Sequence, residues 1–184
     1  GIQSVSFSSD MPSSDNNWAT NFAFDGREDE KVEVYLKMAD ADYFKTYDLQ
    51  FIAGRGLSVS DTIREIVINE TMVQKLGLKN PEEAVGKNLK LGGGKWKPIV
   101  GVVRDFKANA LREKINPMAI FSRNRFYGVT NIKLSTSDLS GAQERIQRTW
   151  DKYYPEYVNT IKFMDESIKN FYRQEAQLTK LYQF

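Results

Sequence analysis

The chain has 184 residues, and its 26 Lys and Arg against 24 Asp and Glu give a formal net charge of +2. Hydrophobic residues make up 41% of it and charged residues 27%, as in ordinary globular proteins. Nucleic acid is not an expected partner, because the charges nearly balance and form no concentrated basic segment. The sequence has no Cys and no His, which excludes Cys/His metal sites, His general bases and Ser-His-Asp triads.

No segment has the length and hydrophobicity of a membrane span. The longest apolar stretch, Pro98 to Val103, is far shorter than the roughly 20 residues that a spanning helix needs. The absence of Cys also suits an oxidising compartment outside the cytoplasm.

Short strands and short helices are predicted in the first half of the chain. Val32, Val34, Leu36 and Met38 alternate with polar residues, which predicts a strand with one buried face. Asn69 is a typical N-cap residue, and Gly77 is a typical helix end. The patterns predict strands near residues 5–7, 32–38, 49–54 and 65–68, a loop at 10–17, and helices at 43–47 and 69–77.

The second half contains a predicted hairpin and a long amphipathic helix. The helix begins at Ser137 or Asp138 and ends before Pro155. Strands and helices are grouped rather than strictly alternating, so the predicted fold class is α+β. The other predicted elements are a short helix after Asn80 and Pro81 that ends at Gly86, a hairpin at 89–103, a helical turn within 108–115, strands at 118–121, 132–134 and 158–163, and a final helix from Asp165.

The Gly92-Gly93-Gly94-Lys95 segment is the one glycine-rich loop that could be compared with a phosphate-binding loop. A Walker loop requires Ser or Thr after its Lys, and Trp96 stands there instead. The flanking residues alternate as strands do, so we interpret this segment as a hairpin turn.

Three carboxylate pairs are the candidates for acid-base or metal chemistry. Each pair lies at a predicted helix start, where the helix dipole favours negative charge, so helix capping is the preferred interpretation. No catalytic, cofactor or metal site is therefore predicted. The pairs are Asp40/Asp42, Glu82/Glu83 and Asp165/Glu166.

Two sequence features could mark surface sites. Asn69-Glu70-Thr71 matches the glycosylation pattern, although so short a pattern often occurs by chance. Phe126 and Tyr127 lie between two predicted strands beside Arg123 and Arg125, which makes them candidates for contact with a partner, with core packing as the alternative.

An ordered set of residues resembles the periplasmic core domain of MacB-like ABC transporter permeases, whose superfamily includes the lipoprotein-releasing and FtsX-type permeases. The resemblance extends from Val5 to the segment Tyr172–Glu175 and rests on the order and spacing of its parts. These parts are Asp42-Tyr43-Phe44, Leu49, Gly54-Arg55, Ile66-Val67-Ile68-Asn69-Glu70, Leu76-Gly77, Pro81, Gly86-Lys87, Ile99-Val100-Gly101-Val102-Val103, Asp105-Phe106 and Pro117.

The resemblance implies a two-lobed fold. A porter-like lobe of mixed sheet and helices, residues 1–57 and 129–184, would be interrupted by a smaller inserted α/β lobe, residues 58–128. This division predicts that Val34 and Val100 lie in separate sheets. The signature residues are expected to be structural, with Gly54, Gly86 and Gly101 in turns or close contacts and Asn69 as a cap.

The resemblance also implies a function without chemistry in this domain. The domain would lie on the periplasmic side of an inner-membrane permease and transmit ATP-driven motion for the export or extraction of a substrate. Expected partners are a cytoplasmic ABC ATPase subunit, a second permease copy and, in some systems, a periplasmic adaptor, whereas the isolated domain is expected to be monomeric. The alternatives are a ligand-binding or sensor ectodomain between two membrane helices, and an enzyme with perturbed carboxylates in a cleft.

Overall fold

The computed structural model describes residues 1–11, 18–27, 32–106 and 114–165 of the chain. These residues form an α+β fold of nine strands and three α-helices, together with two short 3₁₀ turns, Pro81–Ala84 and Asn124–Phe126. In chain order the elements are β1 (Ile2–Ser8), β2 (Ala19–Phe24), β3 (Glu33–Met38), α1 (Tyr43–Thr46), β4 (Phe51–Gly54), β5 (Ile66–Asn69), α2 (Glu70–Lys75), β6 (Asn88–Leu91), β7 (Lys97–Val103), β8 (Met118–Phe121), β9 (Val129–Leu134) and α3 (Leu139–Tyr153).

Seven strands form one mixed sheet in the order β4-β7-β5-β8-β3-β2-β6. β5 pairs with β7 in parallel, and so does β3 with β8, while the remaining ladders are antiparallel. β6 also pairs with the start of β7, at Asn88 opposite Pro98 and Leu89 opposite Lys97. This ladder closes the ring β7-β5-β8-β3-β2-β6, which we call the barrel. Closure pairs strand edges that would otherwise be exposed.

The barrel wall is buried on both faces. All four residues of β5 and all four of β8 are buried, and successive side chains point to opposite faces. Ile66 and Ile68 therefore join one hydrophobic cluster and Val67 joins another. The inner cluster takes side chains from all six barrel strands and from α2, including Phe22, Val34, Met72, Leu89, Ile99 and Phe121. The outer cluster is built around α1 and includes Tyr43, Phe44, Leu57, Val103, Met118 and Ile120.

β1 and β9 form a separate antiparallel two-stranded sheet, which we call the ribbon. The ribbon has the reverse of the usual polarity. Ser6 and Ser8 of β1 are 0% exposed, whereas Val5 and Phe7 are 36% and 45% exposed. Because neighbouring side chains of a strand point to opposite faces, the serines lie on the covered face and the apolar residues on the other.

The chain divides into two compact units, Ile2–Leu134 and Gly1 with Ser135–Phe184. The first unit contains the barrel and the ribbon. In the second unit, α3 begins after Asp138, whose side chain accepts a hydrogen bond from the Gly141 N–H at 2.8 Å, so the predicted cap is confirmed.

Strands that were expected in two separate lobes pair with each other in one sheet. Val34 and Val100 lie in the same sheet, so the prediction that they would occupy separate sheets is wrong. The physical reason is that β3 pairs with β8 and β2 pairs with β6, and these ladders join residues 1–57 to the expected insert 58–128. Among the described strands of the predicted porter-like segments, β1 and β9 lie outside the seven-stranded sheet, whereas β2, β3 and β4 belong to it.

Most other predicted elements are present, with two differences among the described residues. β2 was not predicted, because Phe22, Ala23 and Phe24 are all buried and so show no alternation. The predicted strand at 158–163 is wrong, since these residues have no strand pairing. The helical turn within 108–115, most of the loop at 10–17 and the final helix beyond Asp165 lie largely or wholly outside the described residues.

No helix in the described part of the chain combines the length and the low polarity that crossing a bilayer requires.

Candidate functional site

The signature glycines Gly54 and Gly101 bring β4 and β7 into very close backbone contact. They are paired residues of the β4–β7 ladder, and Arg55 N–H donates to the Val100 carbonyl at 2.9 Å beside them. A Cβ on Gly101 would lie 2.1 Å from the Arg55 carbonyl oxygen, and a Cβ on Gly54 would lie 2.2 Å from the Val100 carbonyl oxygen. Gly54 also has φ +67°, a backbone conformation that favours glycine. Only glycine fits at either position without moving a strand.

Arg55 continues from this contact into a bidentate ion pair. Its two terminal nitrogens donate to the two carboxylate oxygens of Glu65 at 2.9 and 2.8 Å. The Ser58 N–H donates to the same carboxylate. Hydrogen bonding to Arg55, above all, lowers the pKa of Glu65 from 4.5 to about 2. The pair connects the end of β4 to the start of β5.

Asn69 is the centre of a second structural group. Its side-chain oxygen accepts from Met72 N–H at 3.1 Å, which confirms the predicted cap of α2, and from Met118 N–H at 2.9 Å. Its side-chain amide donates to Asp105 at 2.9 Å and to the Asn116 carbonyl at 3.0 Å. The Asn side chain thus links α2, the end of β7 and the start of β8. It is 1% exposed, so the glycosylation interpretation does not fit the fold.

Asp105 extends the same group. It accepts from Thr71 N–H at 3.0 Å and from the Thr71 hydroxyl at 2.7 Å, and its own N–H donates to Glu70 at 3.1 Å. Four carboxylate and amide contacts therefore cross-link the segment 69–71 to the loop that follows β7. These contacts are structural, because each polar group is matched by a protein partner.

The remaining signature residues have local packing roles. Gly86 has φ +86°, as a turn glycine can, and its N–H donates to the Ile99 carbonyl at 2.8 Å. Phe106 packs against the outer cluster, and the Pro117 carbonyl accepts from the Tyr35 N–H at 2.8 Å.

A polar interface, which the sequence did not predict, lies between the covered face of the ribbon and the outer side of the barrel. Asn131 of β9 donates to the Ser8 hydroxyl at 2.9 Å and accepts from the Tyr47 hydroxyl at 2.7 Å. Ser6 and Asn131 are paired across the ribbon and are 0% and 7% exposed. The ribbon thus meets α1 through hydroxyls and an amide.

A buried ion pair stands at one end of this interface. Lys37 of β3, 4% exposed as a side chain, contacts the Asp10 carboxylate. Burial lowers the pKa of Lys37, and the charge of Asp10 opposes that change. The pair fixes the end of β1 to β3, and neither residue was predicted as a site residue.

Backbone hydrogen bonds hold the same end of the ribbon. Phe7 N–H donates to the Asp40 carboxylate at 2.9 Å, and Asp40 N–H donates to the Phe7 carbonyl at 3.0 Å. Ser9 N–H donates to the Met38 carbonyl at 2.8 Å. Asp42 makes no side-chain cap hydrogen bond, so the capping interpretation is wrong for Asp42. The Asp40 carboxylate does interact with the backbone N–H groups of Asp42 and Tyr43 at the start of α1, as the capping interpretation predicts. Asp40 also anchors β1, through Phe7, which lies 33 residues earlier in the chain.

Tyr43 of α1 and Tyr47, which directly follows α1, complete the interface. Burial, followed by the neighbouring groups Tyr47 and Asp10, raises the pKa of Tyr43 well above its usual range. Burial and Asp10 raise the pKa of Tyr47 to about 12. Both phenols remain neutral at any physiological pH.

The two residues predicted to contact a partner, Phe126 and Tyr127, lie in a compact group of aromatic and basic side chains. The Phe126 ring is covered by the guanidinium groups of Arg123 and Arg125, at 5.0 and 4.7 Å from its centroid, and packs edge-on against Trp18 at 5.3 Å. Phe126 and Tyr127 are half-buried and pack against the inner cluster, as the core-packing alternative predicted, whereas Trp18 is 42% exposed. We call Trp18, Arg123, Arg125 and Phe126 the Phe126 patch.

The other candidates have structural explanations. Gly92 to Gly94 form the turn of the β6–β7 hairpin, as predicted, with Gly94 N–H donating to the Leu91 carbonyl at 3.0 Å. Glu83 accepts from the Asn80 side chain at 3.1 Å at the start of the 3₁₀ turn. In the part of the chain that the structure describes, no group of three His, Cys, Asp or Glu side chains could hold a metal ion.

The fold is an α+β module in which the signature residues cross-link neighbouring strands and helices. Residues 3–160 match the MacB-like periplasmic core domain, so the chain belongs to this family. The family domain is a periplasmic part of ABC transporter permeases. Among curated protein sequences, none is significantly similar to the chain.

Solved structures share the fold at low sequence identity. The periplasmic region of MacB from Actinobacillus actinomycetemcomitans superposes with a TM-score of 0.59 and 16% identity, over 83% of this chain and 67% of that one. The extracellular domain of the noncanonic ABC-type transporter YknZ from Gram-positive bacteria gives 0.56 and 16%, over 83% and 77%.

Proposed function

We propose that this domain transmits ATP-driven conformational change across the membrane, so that an ABC transporter permease can export or extract a substrate. The family membership of residues 3–160 carries the proposal. The polar groups at the signature positions support it, because they cross-link strands instead of converging on a ligand. A domain that transmits displacement needs such cross-links, because a barrel that deforms under force would not pass the displacement on.

The proposal includes partners outside this chain. A cytoplasmic ABC ATPase subunit would supply the energy, and a second copy of the permease would complete the transporter in the inner membrane. The isolated chain would be monomeric, because the membrane helices and ATPase subunits would hold the pair together. Sedimentation of the isolated chain at micromolar concentration tests this point, and a dimer that survives nanomolar dilution would contradict it.

The test of transmission is an uncoupling experiment in the full-length permease. Several glycines inserted after Gln174 would weaken the final helix predicted from the sequence, since glycine costs about 1 kcal/mol per residue relative to Ala. We expect ATP hydrolysis to remain near the wild-type rate and transport to be lost. The matched control places the same glycines after Gly93, in the hairpin turn, where both activities should persist. Transport that is unchanged by the Gln174 insertion would refute the proposal.

We further propose that the Phe126 patch contacts a protein partner such as a periplasmic adaptor. Aromatic and Arg side chains dominate the energetics of protein interfaces, and the two guanidinium groups are already ordered on one ring. Arg123→Glu combined with Arg125→Glu should reduce transport and leave ATP hydrolysis and thermal stability unchanged. Arg64→Glu serves as the control for a surface charge change. Equal transport by the wild type, the Arg123→Glu/Arg125→Glu variant and the Arg64→Glu control would exclude a partner contact at the Phe126 patch.

A further inference from the structure

The interface between the ribbon and the barrel is polar on both sides. On the ribbon, the serines of β1 alternate with apolar residues that face away from the barrel. Lys133 of β9 contacts the Asp48 carboxylate at the end of α1. The polar side chains of this interface are Ser4, Ser6, Ser8, Asn131 and Lys133 from the ribbon and Tyr43, Thr46, Tyr47 and Asp48 from the α1 segment.

Three buried hydroxyl groups of this interface lack hydrogen-bond partners among the described residues. They are the hydroxyls of Ser4, Tyr43 and Thr46. Tyr43 and Thr46 lie three residues apart in α1, hence on the same side of the helix, and Tyr43 is 0% exposed. The Tyr43 ring packs against the Tyr47 ring, with 4.8 Å between their centroids, and the Tyr47 hydroxyl donates to Asn131 of the ribbon. Buried polar groups in folded proteins are almost always hydrogen-bonded, to protein or to ordered water.

One end of the ribbon is held much more firmly than the rest. At Phe7 to Ser9, backbone hydrogen bonds and a bridge between Ser8 and Ala39 join β1 to the end of β3. Towards residue 2 the contacts with α1 are made by side chains that can exchange their hydrogen bonds for water. Polar boundaries of this kind permit relative motion, whereas large apolar contacts restrict it.

We propose that the ribbon contacts the barrel through a layer of ordered water bound by Ser4, Tyr43 and Thr46, and that it moves across this layer about the fixed end at Ser8. The water satisfies the hydroxyl groups, and exchange of hydrogen bonds with it lets the free end shift without opening an apolar core. The water layer and the motion do not depend on the proposed function, but any role of this motion in transport does. The moving boundary lies between the ribbon and α1.

The water layer is tested by deleting single hydroxyl groups in the full 184-residue chain. Tyr43→Phe and Thr46→Val change little but the hydroxyl. If the hydroxyls bind bridging water, each variant should lower the ratio of folded to unfolded protein roughly 2- to 10-fold in urea titrations. Thr130→Val, on the opposite face of the ribbon, is the matched control and should change the ratio less than 2-fold. An increased or unchanged ratio in both test variants would overturn the water layer.

The motion is tested by distances between paired spin labels, which the cysteine-free sequence allows without further substitutions. Gln3→Cys with Gln74→Cys measures the ribbon against α2, and Lys45→Cys with Gln74→Cys measures α1 against α2. All three positions are exposed. We expect the distance distribution of the first pair to be at least twofold wider, and equal widths would overturn the motion. Neither experiment uses transport, so a failed uncoupling test at Gln174 leaves the result unaffected.

Discussion

Gly101→Ala is the sharpest test of the close contact between β4 and β7. The added Cβ would lie 2.1 Å from the Arg55 carbonyl oxygen and 3.0 Å from the Arg55 N and C atoms. These are backbone atoms, so no side-chain rotation relieves the overlap. An ordinary contact begins at 3.4 Å, so β4 must move by about 1.3 Å at this point.

The cost follows from the hydrogen bonds that such a movement breaks. The Arg55 N–H lies 2.9 Å from the Val100 carbonyl, and the neighbouring ladder pairs are Gly54 with Gly101 and Ala53 with Val102. Two to three backbone hydrogen bonds would be lost, at about 1 kcal/mol each, and the packing of β4 would loosen. The expected destabilisation is about 2–4 kcal/mol, a large share of the roughly 5–15 kcal/mol that stabilises a domain.

Thermal unfolding measures this effect. For a chain of this size, about 2–4 kcal/mol corresponds to a melting temperature lowered by roughly 4–16 °C. Gly93→Ala is the control, because nothing lies within 4 Å of its added Cβ, and its melting temperature should be unchanged or slightly higher. A Gly101→Ala protein that melts within about 2 °C of the wild type would refute the argument from backbone contact.

Three further substitutions test the polar contacts. Asn69→Asp removes two donors and places a second carboxylate beside Asp105, so it should destabilise the fold by about 3 kcal/mol at pH 7, and less at pH 4, in urea titrations. Glu65 has a folded pKa of about 2 against an ordinary 4.5, so its stabilisation is present above pH 4.5 and is lost as the pH falls to 2. The Glu65→Gln protein should lose about 1–2 kcal/mol less unfolding free energy than the wild type over this pH range. The value is small because Arg55 is 57% exposed and the ion pair is screened by solvent. Lys37→Met removes the positive charge that balances the buried Asp10 carboxylate and should cost about 3–5 kcal/mol by the same titration.

Each of these substitutions has a result that contradicts its reasoning. Equal stability of Asn69→Asp and wild type at pH 7 would exclude the two donor contacts. An unchanged slope of stability against pH in Glu65→Gln, between pH 4.5 and 2, would exclude the ion pair as its cause. A Lys37→Met protein as stable as the wild type would show that the charge of Lys37 does not stabilise the fold.

Sequence patterns predicted the features that depend on a few neighbouring residues. Asn69 caps α2 through an N–H three residues away, and Gly92 to Gly94 turn between strands that are adjacent in sequence. Both features follow from local spacing. β2 was missed because burial of both faces removes the alternation that reveals a strand, and Phe22 to Phe24 contact elements from different parts of the chain.

The polar interface could not be predicted because strand alternation does not identify the buried face. Ser4-Val5-Ser6-Phe7-Ser8 correctly indicates a strand. The usual assumption is that the apolar face is buried, and the fold buries the serines instead. The second role of Asp40, its contact with Phe7, could not be predicted because Phe7 lies far away in sequence. Ion pairs such as Asp10 with Lys37 likewise depend on long-range pairing of strands.

Substitutions in the barrel and substitutions in the polar interface between the ribbon and α1 are expected to have different effects. Gly54, Gly101, Asn69 and Asp105 lie in or beside the barrel, where most of their contacts involve backbone groups of a neighbouring strand or helix. Substitutions there should lower stability and so affect transport through the amount of folded protein. Contacts across the polar interface join the ribbon to α1 mainly through side chains, so substitutions such as Thr46→Val should alter motion at modest cost in stability. A variant that keeps its melting temperature and ATP hydrolysis but loses transport is therefore expected at the interface, and finding such variants mainly among the barrel glycines would contradict this division of roles.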